Sequence, residues 1–196
     1  RFIAERAEIG EEREALLAVT IPERPGSFNK FCGLLGGHNI TEFNYRLAKG
    51  KDAHIFVGIE VQKAEDRKTV LKKLRDNQLP AIDLTHDEMS KLHIRHMVGG
   101  RARAENENLY RFEFPERPGA LRTFLHSLAT NGGGWNISLF HYRNHGADVG
   151  RVLCGIQVLP AEIAQCEQRL RALGYPFWRE DDNRAYRLFL ADNTSS

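Results

Sequence analysis

The sequence predicts an α+β chain of two tandem ferredoxin-like modules, each running β-α-β-β-α-β, with antiparallel sheets and helices on one face. Three observations carry this expectation. The pentapeptide PERPG occurs twice, at residues 22–26 and 115–119. The segment ITEFNYR at 40–46 returns as ISLFHYR at 137–143. Around both pairs, strand-like alternation and helix-like spacing follow in the same order, as expected of a repeated unit. Pro25 to Tyr45 is four residues shorter than Pro118 to Tyr142, and residues 131–134, Asn-Gly-Gly-Gly, are the natural place for the extra length.

Residues 16–21 alternate apolar and other side chains up to Pro22, which reads as a strand; Tyr110, Phe112 and Phe114 do the same in the second copy. PERPG follows as a turn. Phe28, Phe31, Leu34 and Leu35 then fall at helical spacing over 27–35, with Ser27 as a candidate cap and Gly36-Gly37 as the stop. Residues 39–47 and 54–61 are β-rich and flank a polar turn at 49–52, which predicts a hairpin. A second helix over 65–76 carries Val70, Leu71 and Leu74 on one face. A short strand at 81–84, a helical turn at 87–92 and another strand at 93–98 complete the first copy. The second repeats this at 161–173, 176–179 and 186–190. The expected organisation is a charged connecting helix over 1–14, module one over 15–98, a polar linker over 99–108, module two over 109–191 and a tail over 192–196.

Composition narrows the function classes. The chain has 196 residues, 41% hydrophobic, with 28 basic and 26 acidic side chains for a net charge of +2. Near balance gives no electrostatic footprint for nucleic acid or a membrane surface. There is no run of about 18 apolar residues that would span a bilayer. The charged start RFIAERAEIGEERE has no apolar signal core, and with three irregularly spaced cysteines it points to a cytoplasmic setting with reduced, packed thiols. The absence of an initiating Met suggests a piece of a longer chain. The eight histidines are scattered without carboxylate or Cys at ligand spacing, so no metal site is expected. No nucleophile elbow or phosphate loop is present, so no catalytic residues are expected.

What the repeats can do follows from their chemistry. In PERPG, Pro25 fixes its own φ and Gly26 permits a sharp entry into a helix. Backbone N–H groups at such a helix start attract a carboxylate. Pro25, Gly26, Ser27 and Phe28, with Pro118, Gly119, Ala120 and Leu121 in the second copy, are therefore candidate binding residues; a plain tight turn is the simpler alternative. Tyr45 and Tyr142 hold equivalent strand positions beside Asn44 and His141, each followed by an arginine, Arg46 or Arg143. In a strand the Tyr and Arg face opposite ways, so one face offers a phenol to a ligand and the other a guanidinium to a partner. The alternative is a half-buried aromatic beside a solvated Arg.

The duplicated P-E-x-P-G segments, the N-Y-R and H-Y-R strands, WNISLFHYR and the intervening MVGGR together resemble the C-terminal regulatory, ACT-like region of biosynthetic threonine deaminase, over nearly the whole chain. That resemblance implies an allosteric domain that binds L-isoleucine as inhibitor and L-valine as activator. The parent enzyme would be pyridoxal-phosphate-dependent, converting L-threonine to 2-oxobutanoate and ammonia, with the cofactor in a separate catalytic domain and none in this chain. It also implies that Tyr45 and Tyr142 meet effectors, that Arg46, Arg101 and Arg143 couple the site to the catalytic domain, and that the parent is an oligomer, a tetramer, with the isolated region either a dimer or a single chain whose two modules satisfy each other's edge strands. The ferredoxin-like pattern leaves a nucleic-acid-binding module as the alternative; the sequence lacks the basic, aromatic strand run such a module needs.

Overall fold

In a computed structural model, residues 13–48, 50–117, 119–131, 134–144, 146 and 148–191 are described. The expected connecting helix up to residue 12, the tail over 192–196 and Pro118 lie outside them. Module one runs β1 (Glu14–Pro22), α1 (Ser27–Leu34), β2 (Ile40–Arg46), β3 (Asp52–Glu60), α2 (Ala64–Asp76), β4 (Ala81–Asp83) and α3 (Glu88–Leu92), then a 3-10 turn at Ile94–His96. Module two runs β5 (Glu107–Pro115), α4 (Ala120–Asn131), β6 (Asn136–Arg143), β7 (Val149–Gln157), α5 (Ile163–Ala172) after a 3-10 turn, β8 (Phe177–Arg179) and α6 (Arg184–Phe189). β1 starts at Glu14 and β5 at Glu107, so each begins slightly earlier than the strut and linker boundaries expected from sequence. Both early residues find strand partners, Glu60 and Gln157.

Among the described residues, the eight strands form one antiparallel sheet in the order β4-β1-β3-β2-β6-β7-β5-β8. Within a module the order leaves β2, or β6, with a bare edge, and bare edges recruit another strand. Here each satisfies the other. The β2–β6 ladder pairs Phe43 with Tyr142, Asn44 with His141 and Tyr45 with Phe140. Because Phe43 is the counterpart of Phe140 and Tyr45 that of Tyr142, a pseudo-twofold axis passes between Asn44 and His141. The outer edges are the three-residue strands β4 and β8, short enough to resist further pairing. One hydrophobic core crosses the axis: Phe43 and Phe140 pack edge to face at 5.2 Å, and Phe28 and Phe124 approach Phe140 at 6.2 and 6.3 Å.

Two expected strands are corrected. Residues 93–98 follow α3 through the 3-10 turn, and residues 186–190 fall largely in α6. Capping decides both. The Asp87 side chain accepts from the N–H groups of Met89 and Ser90 at 3.1 and 3.4 Å. Asn183 does the same for Ala185 and Tyr186 at 3.0 and 3.1 Å. Each cap satisfies N–H groups that a helix start leaves orphaned, while β4 and β8 already occupy the sheet edges. α6 packs on the sheet face opposite the main helices, where Tyr186 joins Leu109 and Leu139.

The repeated glycines Gly58 and Gly155 are explained on that same face. A Cβ at Gly155 would sit 2.9 Å from Leu139 Cβ and from Ser138 Oγ, and one at Gly58 would collide with Thr41 Oγ1. Those hydroxyls donate to Glu107 and Glu14, respectively, so the glycines make room for a duplicated hydroxyl–carboxylate clasp. Gly155→Ala is expected to lower stability by about 1–3 kcal/mol through overpacking, read as a shift in the urea unfolding midpoint.

Candidate ligand site between the modules

The first corner is built from short-range constraints. β1 ends at Pro22; the Glu23 N–H donates to Lys51 O at 2.8 Å, and Ser27 N–H to Arg24 O at 3.2 Å. Gly26 adopts φ 89, a left-handed conformation that favours glycine, and stands as the cap of α1 with no side-chain cap bond. Ser27, expected as the cap, is instead buried at the first helical position, because the left-handed residue has to be the one before it. The first turn of α1 therefore has no side chain bonded across its N–H groups. The second corner copies this closely: Glu116 N–H donates to Asp148 O at 2.9 Å, Ala120 N–H to Arg117 O at 2.9 Å, and Gly119 has φ 80.

A cavity of about 60 Å³ opens where the first corner faces module two. Arg24, Pro25, Gly26, Phe28 and Asn29 form one wall. Module two supplies the others: Ser127 and Leu128 from α4, Gly134 to Ile137 leading into β6, Ile156 from β7, and Cys166, Arg169, Leu170 and Leu173 from and just beyond α5. Apolar side chains make the floor, with two guanidinium groups and two amides around it. Arg169 lies over the Trp135 ring at 5.3 Å, a cation–π contact that holds its charge beside the cavity. Burial pushes the Cys166 thiol up to about 11, so it packs as a protonated apolar group.

Tyr45 stands one step behind the cavity. Its ring meets Phe28 edge-on at 4.6 Å, and its hydroxyl donates to Glu23 Oε1 at 2.5 Å. The same oxygen lies 3.4 Å from Asn136 Nδ2, which also donates to Gln157 Oε1 at 2.9 Å. Glu23 Oε2 is buried and has no hydrogen-bond partner. Burial, then the bond to Glu23, raises the Tyr45 pKa well above the usual phenol value, which keeps the hydroxyl a neutral donor. Tyr142 repeats the clasp, donating to Glu116 Oε2 at 2.8 Å, its pKa also raised, chiefly by burial. In the sequence alone, the glutamate of PERPG is only part of a turn. Its recurrence in both copies, alongside a recurring tyrosine, was the signal available for it.

The other expected site residues divide by face. Pro25, Gly26 and Phe28 line the cavity, and Ser27 is buried beside them. Gly119, Ala120, Leu121 and Tyr142 belong to the second corner. Asn44 and His141 lie opposite each other in the ladder, Asn44 donating to Glu42 at 3.1 Å on the reverse face. On that face Arg46 is almost wholly buried. It pairs with Glu107 Oε2 at 2.6 Å and donates to Gly100 O at 3.1 Å and Leu190 O at 2.8 Å. Glu107 also accepts from Ser138 Oγ and from Tyr186 OH at 2.7 Å. One guanidinium thus joins β2, the linker, β5 and the segment after α6. Arg101 donates to the Leu188 carbonyl, tying the linker to α6. Arg143 stands opposite Glu42 in the ladder, while Glu42 itself pairs with Arg95 at 2.6 Å. The pseudo-symmetry of the fold therefore does not extend to its charges.

Among the described residues, no group of His, Cys, Asp and Glu stands in position to hold a metal, and no helix is long and apolar enough to cross a membrane.

Comparison with known proteins gives a consistent family. The model of the C-terminal regulatory domain of threonine dehydratase matches residues 5–94 and 98–190. L-threonine dehydratase biosynthetic IlvA of Burkholderia multivorans is 56% identical over 97% of this chain and 37% of its own length. The Escherichia coli protein of the same name is 55% identical over the same shares. The chain thus spans little more than a third of these curated relatives. Among solved structures, the ligand-free regulatory subunit of aspartate kinase from Thermus thermophilus covers 83% of this chain and 91% of its own, at TM-score 0.34 and 14% identity, too distant to carry an argument.

Proposed function

From the premise that this chain belongs to the family of C-terminal regulatory domains of threonine dehydratase, we infer that it senses branched-chain amino acids and performs no reaction itself. Isoleucine binds in the cavity between the first corner and module two. Its carboxylate takes the uncapped N–H groups at the start of α1, near the charges of Arg24 and Arg169, and its side chain enters the apolar floor around Phe28, Ile137 and Leu170. Valine competes there or uses the second corner near Tyr142. The reaction so regulated, L-threonine to 2-oxobutanoate and ammonia, takes place with pyridoxal phosphate in another part of a longer, cytoplasmic, oligomeric parent.

The observation that supports this reading is that the cavity walls come from both modules. A ligand there has a different affinity for each arrangement of the modules, and only such a difference moves an equilibrium. One methylene separates valine from isoleucine, worth about 1–3 kcal/mol in an apolar pocket. Opposite effects of the two ligands therefore require two arrangements or two sites. The cavity volume of about 60 Å³ is smaller than the roughly 150 Å³ of an apolar cavity that takes up benzene. In titration calorimetry, isoleucine and valine are expected to bind saturably, with phenylalanine much weaker and a random oligonucleotide giving no heat. Silence from both aliphatic amino acids, or saturable heat from the oligonucleotide, contradicts the reading.

A further inference from the structure

We propose that Glu23 is the anchor for the ligand's α-ammonium group, so that the carboxylate holding Tyr45 also reads the amine of an amino acid bound between the modules. This rests on the amino-acid-sensing reading above. Glu23 Oε1 takes the Tyr45 hydroxyl at 2.5 Å, with the Asn136 amide at 3.4 Å, whereas Oε2 is buried without any donor. A buried carboxylate oxygen left without a partner is costly, and a cationic N–H donor relieves that cost most effectively. The missing donor comes from the cavity side: Arg24, the next residue, and Asn136, across the module boundary, both line it. The terminal torsion of a Glu side chain is broad and roughly two-fold, so the carboxylate turns toward the cavity without leaving a rotamer well. An α-amino acid carries its two charges on one carbon. The first corner offers them two complementary groups: the Glu23 carboxylate, one step behind the cavity wall, and the helix-start N–H groups a few residues later.

The second corner lacks this arrangement, which places the anchor at the first. Glu116 holds Tyr142 at 2.8 Å, but Asn39, the counterpart of Asn136, donates to Glu60 within its own module at 3.1 Å. The amide that reaches a corner carboxylate across the module boundary is therefore a feature of the first corner. Through Glu23 the ligand also touches Tyr45 on β2, directly before the Arg46 that fastens β2 to module two. Ligand occupancy and the module junction thus share one short covalent path.

The test measures isoleucine and 3-methylpentanoate, the same skeleton without its amino group, against the unmodified chain, Glu23→Gln and Glu116→Gln. Glutamine still accepts from Tyr45, so a role limited to holding that hydroxyl survives the substitution. On the unmodified chain isoleucine is expected to bind about 10- to 100-fold more tightly than 3-methylpentanoate. In Glu23→Gln that gap closes to about threefold or less, while Glu116→Gln keeps it. Isoleucine binding equally well to the unmodified chain and Glu23→Gln overturns the anchor and leaves amino-acid sensing intact. No isoleucine binding to the unmodified chain overturns both. Should Glu23→Gln fail to melt cooperatively, the two ligands on the unmodified chain decide: equal affinities overturn the anchor.

Discussion

Arg46→Ala is expected to lower the stability of the chain by about 3–5 kcal/mol, the range found when one partner of a buried ion pair is removed. The side chains of Arg46 and Glu107 are only 5% and 4% exposed. Without the guanidinium, Glu107 retains the donors Ser138 and Tyr186 but loses its charge partner, and the carbonyls of Gly100 and Leu190 lose theirs. The loss is a large fraction of the ~5–15 kcal/mol that holds a typical domain folded. Urea unfolding at neutral pH checks it: the midpoint falls while the slope stays near that of the unmodified chain. Adding Glu107→Gln restores part of the loss, because the stranded charge is then gone. A change within about 0.5 kcal/mol for Arg46→Ala, the range of an ordinary surface substitution, means that the junction does not depend on this residue.

Ser127→Phe is expected to weaken isoleucine binding by about 10- to 100-fold, the equivalent of denying an aliphatic side chain its buried site. Ser127 lies on α4 at the cavity wall and is half-buried, so a ring there occupies the ligand's space rather than the core. Stability changes by about 0.5–3 kcal/mol, and retained cooperative melting separates a blocked site from a misfolded one. Calorimetry and thermal melting on the same preparation read the two effects. Undiminished binding places the ligand elsewhere.

Much of this molecule is written in its repeats. PERPG in both copies marked the corners because proline and glycine impose backbone geometry with little help from tertiary context, and Gly26 and Gly119 do adopt the left-handed conformation. The helix-spaced Phe28 and Phe31 and the strand-spaced Phe112 and Phe114 identified core faces, since periodicity is a local property. Residues 93–98 and 186–190 read as strands for the opposite reason. Their apolar content suits either structure, and the deciding Asp87 and Asn183 caps act through two backbone bonds each. The cavity was legible only by half. Pro25, Gly26 and Phe28 lie on a motif, but Ser127, Trp135, Arg169 and Leu170 come from three other segments, joined to the first corner by the β2–β6 ladder. That ladder depends on which sheet edge each module leaves open. A one-dimensional pattern names the strands without saying which of them meet. Arg46 stands out in the sequence for its place after Tyr45, yet its partners are 54 to 144 residues away in sequence, beyond the reach of any local pattern.

A ligand lying between the two modules is the central requirement, and a crystal structure of this chain grown with saturating isoleucine tests it directly. It is expected to reveal one isoleucine against Pro25, Phe28, Trp135 and Leu170, its amine toward Glu23. Isoleucine seated instead on the reverse face by Arg46, or a cavity still empty at saturation, would contradict it.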